Sequence, residues 1–183
     1  MLRIVIPASE DYDSEREEFI RRKEQTIVLE HSLVSLSKWE SQFKKPFLNQ
    51  SSPMTEEEFL AYVKCMTMTQ NVEESVYQHL TPKNVQDILA YIDDTMTATT
   101  ITSADQVKKP NREILTAEVL YYYMIALNIP MECQKWHLNR LIMLIQVCAI
   151  RNDPNPKKMG KDTVLRSNAA LNAKRKARLK TRG

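Results

Sequence analysis

The chain has 183 residues, 26 lysines and arginines against 23 aspartates and glutamates, and only two glycines. Both glycines, Gly160 and Gly183, lie near the C-terminus, so residues 1–159 contain none. Phosphate-binding loops, dinucleotide-binding fingerprints and the nucleophile turns of hydrolases need glycine where backbone approaches a ligand or adopts positive φ. The composition therefore excludes those enzyme classes and fits a chain that folds on hydrophobic burial alone.

The N-terminal sequence and the cysteines indicate the cellular location of the protein. No run approaches the roughly 18 apolar residues of a membrane span, and the start turns acidic too early for a secretory signal peptide. The three cysteines, Cys65, Cys133 and Cys148, are an odd number with apolar neighbours, which favours reduced, buried thiols. We therefore expect a cytoplasmic protein with no membrane partner.

The first 30 residues carry β-type patterns. Leu2, Ile4 and Ile6 alternate with other residues before a proline, and residues 25–29 are rich in β-branched side chains. With residues 18–21 between them, these patterns predict a small β element of two or three strands. Such an element is too small to be stable alone, so we expect it to pack on helices.

Three helix starts follow from capping signals. Ser32 precedes a helical apolar pattern that ends at Pro46. Thr55 and Glu58 form a capping box, in which each side chain can bond the backbone N–H of the other residue. Thr81 precedes a proline at the first helical position of a third helix.

The second half of the domain is predicted to contain two long helices. Residues 72–80 form a short helix in this interpretation, and residues 93–110 form a long connecting loop. Helices over residues 111–127 and 131–150, with a short turn around Pro130, would form an antiparallel hairpin at the centre of the fold.

The C-terminal segment is strongly basic. Residues 157–183 hold ten basic residues and one acid, a charge of +9, which leaves −6 for the rest. The sequence NDPNP at residues 152–156 has the composition of a linker. We predict a mainly α protein with a compact helical domain over residues 1–153, including the β element, and a basic tail over residues 154–183 that is mobile, or helical on binding.

The tail carries the candidate binding residues. A solubilising role, contact with nucleic-acid phosphates, and contact with an acidic protein surface, including another copy of this chain, all fit its charge. The six residues predicted to make such contacts are Lys174, Arg175, Lys176, Arg178, Lys180 and Arg182.

Candidate catalytic or metal-binding groups are sparse. Cys133 and His137 would share a helix face as half of a zinc site, but no CxxC or HxxxH motif accompanies them. Glu30 and His31 lie beside serines, but no glycine-supported turn exposes a serine as a nucleophile. Consecutive tyrosines at residues 121–123 spread over about 200° of a helix, so packing is favoured over a stacking platform for bases. We expect no cofactor, no metal and no enzymatic activity.

Seven segments of the chain carry a resemblance to known proteins. They are residues 29–40 (LEHSLVSLSKWE), 45–48 (KPFL), 65–67 (CMT), 96–100 (MTATT), 111–118 (NREILTAE), 136–141 (WHLNRL) and 166–172 (RSNAALN). These segments resemble a family of small proteins of tailed bacteriophages, and the resemblance covers most of residues 25–176. The family is similar in size and helical content to tail assembly chaperones, which bind the tape-measure protein and keep it soluble while tail-tube subunits polymerise around it.

The resemblance implies a non-enzymatic morphogenesis protein in the host cytoplasm, with the tape measure or another phage tail protein as its partner. It assigns no contact residues. The alternative is a phage accessory protein that binds nucleic acid through its basic tail. Binding to phosphates weakens steeply as salt rises, whereas capture of apolar helices survives high salt, so the two functions are separable.

Overall fold

A computed structural model describes residues 1–13, 17–48, 53–101 and 114–152, together with Leu165, Asn168, Ala169, Asn172 and Arg175. Up to residue 152, the described residues form four short strands, five α-helices and two 3-10 helices. The prediction of a helix-rich fold with a small N-terminal β element is confirmed.

The N-terminal β element consists of two antiparallel pairs. Strand β1 (Leu2–Ile6) pairs with β4 (Gln25–Leu29), and β2 (Ser9–Asp13) pairs with β3 (Glu18–Arg22). The predicted two or three strands are therefore four. The sequence did not indicate β2 because its five residues are mostly acidic and lack apolar alternation.

Helices and loops cover the outer edges of β1 and β4. Glu30 N donates to Met66 O at 2.9 Å, and Met68 N donates to Val28 O at 2.8 Å, so the segment after the second helix pairs alongside β4. On the other side, Asn84 Nδ2 donates to Val5 O at 3.0 Å. The β1–β4 pair is thus fixed to the helices, as expected for a sheet that cannot stand alone.

The first two helices begin where the capping signals predict. Helix α1 spans Leu33–Phe43, and the Ser32 hydroxyl accepts from the N–H of the third helical residue. Helix α2 spans Glu56–Met66, and Thr55 and Glu58 form both hydrogen bonds of the predicted capping box.

The third predicted start is also confirmed. Helix α3 spans Pro82–Asp93, and the Thr81 hydroxyl accepts from Asn84 N at 3.1 Å. The short helix predicted over residues 72–80 is a 3-10 helix, Glu74–His79. Residues 94–101 carry no helix or strand, in agreement with a loop, and the rest of that predicted loop lies outside the described residues.

The last two helices are shorter than predicted. Helix α4 spans Ala117–Ala126, a second 3-10 helix spans Met131–Lys135, and α5 spans Leu138–Arg151. The sequence predicted that this helix begins at residue 111. That prediction is wrong for residues 114–116, which are not helical. Helices α4 and α5 do contact each other, but residues 127–137 join them instead of a short turn. A central antiparallel hairpin remains a prediction.

A tertiary contact explains why one continuous helix over residues 131–150 was wrong. The backbone is extended at Trp136, with ψ of 162°. There Ser32 and His137 form an isolated antiparallel bridge, and Leu138 N donates to His31 O at 2.8 Å. The chain therefore leaves helical geometry to pair with the segment before α1, which sequence periodicity cannot reveal.

Two apolar clusters form the described core, and α1 contributes to both. The first joins β1, β4, α2, α3 and the first 3-10 helix around Trp39, and the second joins α4, α5 and the second 3-10 helix to Leu33 and Leu36. The buried residues of the second cluster beyond α1 are Ala117, Leu120, Met124, Ile129, Cys133, Leu138, Leu141 and Ile145.

A buried carboxylate ties the two clusters together. Glu40 is buried near the end of α1, where its Oε1 accepts from Phe47 N at 2.8 Å. Its Oε2 accepts from Ala117 N, the first residue of α4, at 2.7 Å. One side chain thus fixes the segment after α1 and satisfies a free N–H at the start of α4.

Candidate partner-binding groove and buried polar cluster

An apolar groove lies between α2 and α3. The capping box starts α2 so that Phe59 faces the groove, and α3 contributes Val85, Leu89 and Ile92 at helical spacing. Leu89 is 48% exposed. The groove has a cavity volume of about 350 Å³ and is completed by Phe47, Met54, Thr55, Glu56 and Tyr62.

Tyr62 connects the groove to a buried polar cluster. Its hydroxyl and His31 Nδ1 are joined by a hydrogen bond of 2.5 Å, and its ring packs on Phe47 with centroids 4.2 Å apart. Burial raises the pKa of Tyr62, so its hydroxyl keeps its proton.

Two histidine rings contact each other in this cluster. The ring centroids of His31 and His137 are 4.9 Å apart. Burial, and next the neighbouring His137, lower the pKa of His31 to about 3, so the His31 ring is neutral at pH 7. His137 Nε2 lies 2.9 Å from Tyr91 O, and a carbonyl only accepts, so Nε2 carries the proton. His137 Nδ1 has no partner among the described residues.

A carboxylate lies at the edge of the cluster. Glu30 Oε1 accepts from the Tyr91 hydroxyl at 2.7 Å. Glu30 Oε2 lies 3.1 Å from the α-amino group of Met1. Both oxygens of Glu30 therefore have partners other than His31.

The serines beside His31 act as helix caps. The single hydroxyl proton of Ser35 is shared between the carbonyl oxygens of Ser32, at 2.8 Å, and Glu30, at 3.2 Å, and the Ser32 hydroxyl accepts from Ser35 N. His31 Nδ1 is hydrogen-bonded to the Tyr62 hydroxyl and not to a serine. Among Glu30, His31, Ser32 and Ser35, all of which the structure describes, no Ser-His-Glu relay forms.

Cys133 and His137 do not share the predicted helix face. Cys133 lies in the second 3-10 helix, whereas His137 is the residue before α5. Within the described ranges, no group of three histidine, cysteine or carboxylate side chains could hold a metal ion. Burial raises the pKa of the Cys65 and Cys133 thiols, which keeps them protonated.

The tyrosine run divides between packing and solvent. Tyr121 and Tyr123 are half-buried, and the Tyr121 hydroxyl donates to Gln134 Oε1 at 2.9 Å. Tyr122 is exposed. The three rings therefore do not form one platform, as their helical spacing predicts.

Only one of the six predicted contact residues of the tail is described. Arg175 is helical and exposed, as are the other four described residues of the tail. Lys174, Lys176, Arg178, Lys180 and Arg182 lie outside the described residues, as does the predicted domain boundary between residues 153 and 154.

Comparison with known proteins finds no relative of this chain. The chain matches no protein-family model, no curated protein and no solved structure. Among the described helices, none is long and apolar enough to cross a membrane.

Proposed function

We propose that this chain is a non-enzymatic chaperone or morphogenesis protein of bacteriophage tail assembly, which binds the tape measure or another tail protein in the groove between α2 and α3. The observation that carries the proposal is the open apolar groove itself. Grooves of this kind bind the apolar face of an amphipathic helix. A tape measure presents long amphipathic helices, and an unassembled one needs its apolar faces covered.

The groove has the dimensions of a short helical contact. Val85, Leu89 and Ile92 follow one another along two turns of α3, a length of about 10 Å. Among the described residues that line the groove, Glu56 alone is charged. Binding there rests on apolar burial, so it should persist at high salt.

Phe47 belongs both to a segment that carries the family resemblance and to the lining of the groove. Phe47 belongs to the KPFL segment that resembles the phage family, and its ring lines the groove above Tyr62. The resembling segment over residues 29–40 supplies most of α1, including Glu40, which accepts a hydrogen bond from Phe47 N.

The buried polar cluster supports a binding role over catalysis. His31 is neutral and 1% exposed, and the cap serines have their hydroxyls engaged in local hydrogen bonds. A general base must reach its substrate, and a nucleophile must be accessible and activated. We therefore assign the cluster to fold stability.

The test is affinity capture of the tagged protein from phage-infected cells, after nuclease treatment and a wash at high salt. We expect the tape measure or another tail protein to remain bound to both the full chain and a variant lacking residues 157–183. The truncation is a fair comparison because the buried residues of both core clusters lie within residues 4–145.

Two results would contradict the proposal. One is recovery of no tail protein with the full chain. The other is nucleic acid that co-purifies only at low salt and is lost with residues 157–183, which would favour the alternative function.

A further inference from the structure

A second groove lies on the face of α2 opposite the groove between α2 and α3. It lies between α1 and the first 3-10 helix and has a cavity volume of about 730 Å³. The apolar part of its lining consists of Phe43, Leu60, Ala61 and Tyr77. Among the described residues that line it, the charged ones are three glutamates and one lysine, Glu56, Glu57, Glu74 and Lys64. We call it the acidic groove.

Two carboxylates of the acidic groove are not neutralised by a described residue. Lys64 Nζ pairs with Glu74 Oε1 at 2.5 Å and lies 5.8 Å from the centroid of the Tyr77 ring, so its charge is balanced within the groove. Glu56 and Glu57 are exposed in the first turn of α2 and form no ion pair within the described part of the chain. The α2 macrodipole offsets roughly half a charge there, which leaves the groove negative.

The C-terminal segment of the chain has the complementary chemistry. Residues 174–182 (KRKARLKTR) hold six basic residues, no acid and one leucine, Leu179. Lysine and arginine side chains pair with carboxylates and lie on aromatic faces, and a leucine suits the apolar part of the lining. The segment thus matches both the charge and the apolar residues of the acidic groove.

We propose that the acidic groove binds residues 174–182 of a second copy of this chain. None of the described tail residues of the same copy lines the groove, and Arg175 is exposed. The contact joins two different surfaces, so each copy can give its tail to one neighbour and accept the tail of another. This contact goes beyond the function proposed for the groove between α2 and α3 and does not depend on it.

The character of the contact sets its response to salt and concentration. Ion pairs at a protein surface are individually weak and are screened by salt. We therefore expect reversible self-association that rises with protein concentration and falls as salt rises. Capture of a tail protein in the other groove rests on apolar burial and should not show this salt dependence.

Sedimentation equilibrium of the nuclease-treated full chain at low salt tests the proposal. We expect self-association that Glu57→Lys weakens by about tenfold or more, because the new lysine repels the basic segment. Glu57 lines the acidic groove but not the groove between α2 and α3. The matched control is Glu118→Lys, the same change at an exposed residue in the first turn of α4, which should leave the association within a few-fold.

A labelled peptide with the sequence of residues 174–182 separates the groove from general charge attraction. Fluorescence anisotropy should show that the peptide binds the full chain and binds the Glu57→Lys variant about tenfold more weakly. A second peptide with Leu179→Ser has the same charge, and we expect it to bind several-fold more weakly because it loses its apolar contact.

Four results would each overturn the proposal. They are a full chain that is monomeric at every concentration, self-association that persists without residues 157–183, equal effects of Glu57→Lys and Glu118→Lys, and equal affinity of the two peptides. None of these results would affect the function proposed for the groove between α2 and α3.

Discussion

Replacing Glu40 with glutamine is expected to lower the free energy of unfolding by about 2–4 kcal/mol. The buried carboxylate accepts from Phe47 N and Ala117 N, at 2.8 and 2.7 Å. A glutamine has only one oxygen, so it can accept from one of these two N–H groups. Its NH₂ group then faces the second N–H, which is left without an acceptor. Bonds to a charged acceptor are stronger than neutral ones, and an unpaired buried N–H adds its desolvation cost.

Urea unfolding followed by circular dichroism measures this effect. The matched control is Glu118→Gln, the same change at an exposed residue in the first turn of α4, for which we expect a loss below about 1 kcal/mol. Equal losses in the two variants would show that Glu40 does not join the two clusters.

The second large effect concerns pH. The pKa of His31 falls from an unperturbed 6.5 to about 3 in the folded protein. As pH drops below 6.5, the unfolded chain binds a proton that the folded chain does not. The free energy of unfolding should therefore fall by about 1.4 kcal/mol per pH unit from His31 alone, until the pH approaches the folded pKa.

Urea unfolding at pH 7, 6 and 5 tests this slope. The variant His31→Gln keeps a neutral acceptor near the Tyr62 hydroxyl and should lose most of the dependence. His79→Gln, at a half-buried histidine outside the cluster, should retain it. Equal slopes in the wild type and His31→Gln would refute the assignment of the pH effect to His31.

Local signals made the helix starts predictable. Ser32, Thr55 and Thr81 each precede a helix and accept from a backbone N–H within it, a contact that depends on four consecutive residues. The strands at residues 2–6 and 25–29 were predictable for the same reason, since the apolar alternation of the first and the β-branched run of the second are local.

Features that depend on tertiary contacts were not predictable. Helix α5 begins only at Leu138 because the preceding backbone pairs with Ser32 and His31, more than 100 residues earlier. Glu40 fits a helical pattern, but the sequence does not reveal that its carboxylate reaches Ala117.

The groove was missed for a related reason. The spacing of Val85, Leu89 and Ile92 predicts an apolar helix face, which is ordinarily buried. In the structure this face closes only partly against α2, and Leu89 stays half in solvent. An apolar stripe alone does not distinguish a core contact from a partner groove.

The most direct test of the groove compares two charged substitutions in the capture experiment at high salt. Leu89→Glu places a carboxylate in the groove, whereas Ile125→Glu makes a similar change at an exposed position of α4, where the side chain is 67% exposed. We expect Leu89→Glu to reduce recovery of the tail protein by about tenfold or more, and Ile125→Glu to leave it unchanged. Full recovery with Leu89→Glu would contradict binding in the groove between α2 and α3.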